Sequence, residues 1–540
     1  MRFETLTTRS ARPDWRSLAL PSVADMIFLA LLWVLVFTPY SVRLLGDAGI
    51  GWHIRTGQWI LQTHSVPHVD PFSSAMQGKP WFAWEWLYDL VVGAIESHAG
   101  LDGVVLLNAA VIALVFAAVL GLLRRRGTGL FTALLLTVLA ASASMVHFLA
   151  RPHVLSWLFT VLWLGWLDDG CTDSMRSSAA VHSRLIWLLP VSMLWWVNLH
   201  GGFITGFVLL AAFLTGLVGD WWRADHVNDF DSLRDGARLR SLGIAGIFSL
   251  LATLLNPYGW SLHAHIYRYL TNRWLMDHVQ EFQSPNFHDP AAKCFVVLLA
   301  SSIVAFGLRT RPIRISEYLL AIFACISGLY SARNIPVAAI LLAYVAGPML
   351  SAAFAQRVLR MPRSLAARIQ GVSLRMGRMD AGLRGHLWPW LAIGLVALVA
   401  SKASRPGNTS LIGAHFDFQR FPVAAVSYMN TYEGREPVLT PDSWGGYLIY
   451  RLYPKRLVVV DDRHDLYGDT FFNSYLNMIR LGDDWNGFLN QHQVSLILLP
   501  KGSTLADGLI LDRNWRVVYS DAVAIVFQRD TSRNESIGNQ

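Results

Sequence analysis

The chain has 540 residues, 53% of them hydrophobic and only 15% charged, with a mean hydropathy of +0.37. Soluble globular chains carry about 25% charged residues, so the deficit excludes a string of soluble domains or a disordered chain and fits one held mostly in lipid. Three cysteines cannot form a disulfide framework, and Cys171, Cys294 and Cys325 stand in or beside apolar segments without metal-ligand spacing.

The net charge of +8 is unevenly spread: residues 1–403 carry +10 and residues 404–540 carry −2. The basic half contains no stripe of Lys and Arg interleaved with aromatics, which argues against a nucleic-acid partner. Positive-inside loops account for it more simply.

A spanning helix needs about 20 mostly apolar residues. In chain order the apolar runs are 22–44, 103–123, 129–149, 154–168, 185–199, 203–222, 241–256, 293–308, 315–332, 335–352 and 387–403, which predicts about eleven spans. The first run is too long, and lacks the small-residue site, for a cleavable signal peptide. With the N-terminus inside, the inner segments hold 23 Arg and the outer loops before residue 387 hold six Lys or Arg, or eight with Arg43 and Lys293. That asymmetry predicts a cytoplasmic N-terminus, and the odd span number then places residues 404–540 outside. The chain thus reads as a polytopic α-helical membrane protein of the plasma membrane. Residues 1–403 form the spanning domain, with a first outer loop at 45–102, and 404–540 form a small extracytoplasmic α/β domain. In that tail, 438–440, 456–460, 495–499, 516–520 and 524–528 read as strands, and 466–491 and 503–511 have helical spacing.

The distinctive polar residues collect on the predicted outer face, whereas mid-span carboxylates are essentially absent. Asp47 follows the first span. The runs 50–61 and 84–98 look like amphipathic helices lying in the interface, with Trp52 and Trp59 as anchors and Glu85 and Asp89 sharing one face. A carboxylate where a helix leaves lipid suits a general base acting on a lipid-linked substrate; capping the following helix is the alternative role for Asp47. Arg151-Pro152-His153 and Arg333-Asn334 end spans where a guanidinium can grip a phosphate or snorkel to head groups. His200, in Asn198-Leu199-His200-Gly201-Gly202, and His53 suit the lining of a sugar pocket or metal ligation, with a histidine hydrogen-bonded at a helix end as the alternative role.

The layout resembles the GT-C superfamily, the polytopic glycosyltransferases that use polyprenyl-phosphate-linked sugars. Asp47, His53, Gly57, Pro67, Asp70-Pro71-Phe72-Ser73 and Trp84-Glu85-Trp86-Leu87 resemble the bacterial mannosyl/aminoarabinose-transferase-like branch. Pro441-Asp442-Ser443-Trp444-Gly445-Gly446-Tyr447, followed by Val458-Val459-Val460-Asp461-Asp462, is similar to the segment around the Trp-Trp-Asp-Tyr-Gly motif of oligosaccharyltransferase catalytic subunits. One Trp replaces two and the Asp precedes rather than follows, so sequon reading is not implied.

The resemblance implies a glycosyltransferase working on the outer face, with Asp47 as catalytic base. Glu85, Arg151, His153, His200 and Arg333 would bind substrate. Trp444 and Tyr447 would face the acceptor from a glycine-bearing turn. The partners implied are a polyprenyl-phosphate-linked sugar donor, a glycan, lipid or protein acceptor, and membrane lipid. No metal or cofactor is required by the residues, although a divalent cation is compatible with them. A transporter or flippase of lipid-linked glycans, or a scaffold with an outer binding domain, is the competing reading. The missing mid-span charges and repeats count against transport.

Overall fold

The computed structural model describes residues 19–172, 185–223, 229–360, 364–383, 385–403 and 410–530. Of the inner arginines, Arg2, Arg9, Arg12, Arg16, Arg176, Arg184, Arg223, Arg234, Arg363 and Arg384 lie outside the residues described or have no described side chain.

Each of the eleven apolar runs falls on helix. The first helix, α1 (Val23–Phe37), starts at a capping box: the Ser22 hydroxyl accepts from the Asp25 amide while Asp25 accepts from the Ser22 amide. A break at Thr38-Pro39 separates it from α2 (Tyr40–Leu44). Next come α3 (Gly49–Thr63) and the 40-residue α4 (Trp86–Arg125), in which Gly100, at φ +59°, joins two helices at a kink. The bundle continues with α5 (Leu130–Ser144), α6 (His153–Thr172), α7 (Leu188–Leu199), α8 (Ile204–Arg223) and α9 (Asp229–Ala252). The short α10 (Trp260–Thr271) and α11 (Arg273–His278) precede α12 (Pro290–Gly307), α13 (Ile315–Tyr330), α14 (Ile335–Arg360), α15 (Leu365–Gly382) and α16 (Leu387–Ala403).

Among the described residues, five helical stretches are long and apolar enough to cross a membrane; α15 and α16, which meet at 70°, would make a sixth if taken as one span. The helices α1, α7 and α13 are apolar but shorter. The chain is therefore a mostly helical membrane protein.

The tail contains α17 (Val423–Thr431), β1 (Val438–Leu439), α18 (Asp442–Leu452), α19 (His464–Ile479), α20 (Trp485–Gln491), β2 (Leu496–Pro500), α21 (Thr504–Leu511), β3 (Trp515–Ser520) and β4 (Ala524–Arg529). The sheet order is β1-β2-β4-β3, with β1 parallel to β2 and the other pairs antiparallel. Alternation sends Ile497, Leu499, Ile525 and Phe527 to one face, against Phe472, Leu505 and Leu509, while Leu496, Leu498 and Val526 join the core that runs into the helical bundle. Both faces of β2 are covered, which explains its uninterrupted apolar run.

Three expectations for the tail and the first loop change. The predicted strand at 456–460 forms only isolated bridges, in which Val458 pairs with both Val438 and Ser73. The predicted helical stretch 466–491 breaks between α19 and α20, where Leu481 and Asp484 take positive φ. Trp52 is no interfacial anchor, because α3 is clamped between α4 and α18 and the indole is buried. The clamp works through glycines. Gly51 lies against the Gly446 carbonyl on one side, and Gly57 against the Asp89 carbonyl and Gly93 on the other.

Candidate active site

Helix ends and loops converge on one end of the bundle around a cavity of about 940 Å³. Asp47 follows α2, Glu85 precedes α4, Arg151 precedes α6, His200 follows α7 and Arg333 lies between α13 and α14. Residues far apart in sequence thus meet because each terminates a helix on the same side.

The centre of the cluster is Arg151. Its Nη2 stands 3.2 Å from Asp47 Oδ1 and 2.9 Å from Asp462 Oδ2, and its Nη1 faces Glu281 at 4.0 Å. Asp462 also accepts from Trp52 Nε1 at 3.1 Å. Burial raises the Asp462 carboxyl above its usual range; Arg151 opposes that rise and Asp47 adds to it. Asp47 Oδ1 additionally accepts from the Gly49 amide at 2.7 Å, so it serves the start of α3 and faces the cavity at once.

A second arginine lies alongside. Arg333 Nη1 donates to Glu281 Oε1 at 3.2 Å and to the Tyr269 hydroxyl at 3.1 Å, with its guanidinium 5.2 Å from the Phe282 ring centre. Burial works to raise Glu281, but Arg333 and Arg151 outweigh it and bring the carboxyl down to about 2. Glu281 therefore stays ionised between two guanidinium groups, whose fork geometry suits a phosphate.

Glu85 forms a separate group. Its two oxygens face His53 Nε2 at 3.7 Å and His200 Nε2 at 3.5 Å. His53 Nδ1 is 2.5 Å from Asp89 Oδ1. His200 Nδ1 accepts from the Gly202 amide at 3.0 Å and meets Ser156 Oγ at 2.7 Å, which leaves the ring proton on Nε2, toward Glu85. Burial pushes both imidazoles well below their ordinary range. It lifts Glu85 to about 8, although Arg333 and Arg151 pull the other way. At neutral pH Glu85 is an uncharged acid that can donate a hydrogen bond.

His153 and Trp444 also line the cavity, each with one ring nitrogen already committed. His153 Nε2 donates to the His147 carbonyl at 2.9 Å, and Trp444 Nε1 donates to the Arg420 carbonyl at 3.0 Å. Tyr447 is a correction. It is buried against Phe416 and Phe421 and is absent from the cavity wall. The Trp444–Tyr447 segment is no turn either; it lies within α18, where Gly445 and Gly446 admit Asp461 and the start of α3.

Sequence reasoning missed Glu281 and the role of Asp462. The run Asp461-Asp462-Arg463-His464-Asp465 was the available signal, since five consecutive ionisable residues are unusual in a chain with 15% charged residues. Glu281 gave none, being a lone acid in an irregular segment. Arg463 ties the tail to the 45–102 loop: it reaches Asp70 at 2.9 Å and Asp461 at 2.7 Å, with the Trp81 ring centre 4.5 Å away. Among the described residues no group of three or more His, Cys, Asp or Glu is arranged to hold a metal ion.

No protein-family profile and no curated protein matches the chain. Solved structures do. The oligosaccharyltransferase of Archaeoglobus fulgidus, tethered to an acceptor peptide containing the NVT sequon, aligns over 94% of this chain and 74% of its own, at 14% identity and a TM-score of 0.55. The same organism's AglB, in complex with an inhibitory peptide and a dolichol-phosphate, gives the same coverage at 13% identity and a TM-score of 0.53. ArnT from Cupriavidus metallidurans bound to undecaprenyl phosphate aligns over 94% of this chain and 98% of its own, at 13% identity and a TM-score of 0.52. The chain shares its overall fold with these structures.

Proposed function

We propose that the chain is a membrane glycosyltransferase that moves a sugar from a polyprenyl-phosphate-linked donor to an acceptor on the outer face of the plasma membrane. The observation that carries this reading is one cavity in which Arg151 joins Asp47 to Asp462 while Glu281 joins Arg151 to Arg333. The fold shared with structures holding dolichol-phosphate and undecaprenyl phosphate supports the donor class.

In this reading Asp47 accepts the proton of an acceptor hydroxyl as its oxygen attacks the anomeric carbon. The bond from that carbon to the phosphate oxygen breaks, with inversion. Arg333 and Arg151 take up the negative charge on the departing lipid phosphate, an interaction that grows toward the transition state. Glu85, uncharged, donates to a sugar hydroxyl. A glycan, lipid or protein could each supply the acceptor hydroxyl. The test is transfer from a panel of radiolabelled polyprenyl-phosphate sugars in membranes carrying the chain or its Asp47→Asn variant. Transfer by the wild type alone supports the reading. Absence of transfer, with unchanged cell-envelope glycans in a deletion strain, overturns it.

A further inference from the structure

The end of the bundle away from the cavity carries a feature that the transfer reaction does not use. The start of α1, the end of α4, the start of α5 and the end of α14 all lie there, and α15 lies across them. Asp380 accepts from the Val23 amide at 2.7 Å, Ser373 Oγ accepts from the Phe131 amide at 3.3 Å, and Arg124 Nη2 donates to the Gly377 carbonyl at 3.2 Å. These contacts fix one side of α15, with Ser373 and Gly377 buried.

The face about a quarter-turn round the helix from that side is uncovered. Leu365, Ile369, Val372, Met376 and Met379 recur every third or fourth residue, which aligns them in one stripe. They are exposed by 72%, 43%, 36%, 45% and 72% respectively. Arg368 and Arg375 border that stripe on the side away from Ser373 and Gly377, and Arg378 lies further round the same side, all exposed and without an ion-pair partner among the described residues. The helix is too polar to span, and it turns 70° into the apolar α16.

We propose that α15 is an in-plane helix whose apolar stripe beds into the leaflet at that end of the bundle and whose three arginines select anionic phospholipid head groups there. The apolar stripe needs a hydrocarbon partner, and its arginine flank gives that partner a sign. A helix with an apolar face and a cationic border lies at the head-group boundary, and each arginine near an anionic surface favours it by about fivefold. Its place across the ends of apolar helices puts it at the depth where head groups lie. The inference is independent of the transferase reading.

The test uses the full chain in vesicles, with Cys171, Cys294 and Cys325 replaced by Ser and a fluorophore on Met379→Cys. Brominated phosphatidylglycerol and brominated phosphatidylcholine are compared as quenchers. The expected result is quenching by both lipids, several-fold stronger with phosphatidylglycerol. The preference should disappear in R368Q/R375Q/R378Q while contact with lipid remains. A fluorophore quenched by aqueous iodide and by neither lipid would overturn the proposal and point to a protein partner. Equal quenching by the two lipids in the wild type would overturn the head-group selection. Since that arm needs no substitution in the arginines, a folding defect in the triple variant cannot hide the answer.

Discussion

Asp47, from the loop after α2, and Asp462, from the tail, face one another across a single guanidinium: Arg151 Nη2 lies 3.2 Å from the first and 2.9 Å from the second. Two carboxylates sharing one cation are not independent, since removing either leaves the other with a larger share of it. Asp47→Asn keeps shape but removes basicity, so turnover should fall about 10²–10⁴-fold. Asp462→Asn should cost less, because Arg151 and Trp52 still have partners. Steady-state transfer rates of the two variants, with melting temperatures as a control, check this. A full-rate Asp47→Asn enzyme would leave Asp47 as a support for the start of α3.

Gly49 offers a sharper probe of the same cluster. A Cβ there would stand 2.5 Å from Arg151 Nη2, 2.7 Å from Asp462 Oδ2 and 2.9 Å from Asp47 Oδ1. Helix propensity alone favours Ala over Gly by about 1 kcal/mol. Gly49→Ala should therefore fold about as well as wild type yet lose turnover by roughly tenfold or more, through displacement of the charged groups. Turnover and thermal melts measured together would show it; unimpaired transfer would mean that the three side chains do not work as a unit.

The pH profile tests Glu85. Its carboxyl is raised from an ordinary 4.5 to about 8, so the proton is held well below pH 8 and lost as pH rises through that value. The hydrogen bond it donates is then fully present at neutral pH and disappears on the alkaline side. Wild-type transfer should decline above about pH 8. Glu85→Gln, which always donates, should remain active and lose that decline, and Glu85→Ala should be poor throughout. An unchanged alkaline limb in Glu85→Gln would remove Glu85 from this role.

Arg333 should show a graded loss. Lys keeps the charge but not the planar fork, so turnover should run Arg above Lys above Ala, with Ala down about 10²–10³-fold. Donor affinity should change less than turnover. Equal rates in all three would assign the phosphate to Arg151.

Sidedness is open to direct labelling. Leu511 is 84% exposed in the tail and Arg375 is exposed on α15. In intact cells an impermeant maleimide should label Leu511→Cys and spare Arg375→Cys. The reverse pattern would place transfer on the cytoplasmic face.

Much of the helical bundle was readable because apolar runs carry their own signal: each of the eleven runs is helical. The cavity was partly readable, since Asp47, Glu85, Arg151, His200 and Arg333 all announce themselves as polar residues at the ends of such runs. Asp462 and Glu281 did not, because what matters about them is a partner supplied by a distant segment. The glycine pair in α18 misled for a related reason. Two adjacent glycines beside aromatics read locally as a turn, yet their purpose is to let α3 approach, which no local pattern encodes. Val458 shows the same limit, pairing with Ser73 across most of the chain rather than extending a neighbouring strand.

That pairing bears on how the protein is made. The 45–102 loop comes early in the chain, whereas Val458, Arg463 and Gly446, against which it packs, follow the whole helical bundle in sequence. Contacts so widely separated in sequence form late. Until then α3 lacks its second wall and Arg151 lacks Asp462. A partly synthesised or C-terminally clipped chain should therefore sit in the membrane, intact in most of its helices and without a finished cavity. Residues 446–463 would then be the segment that closes the cavity, which keeps an open wall until they have packed against α3 and Arg151.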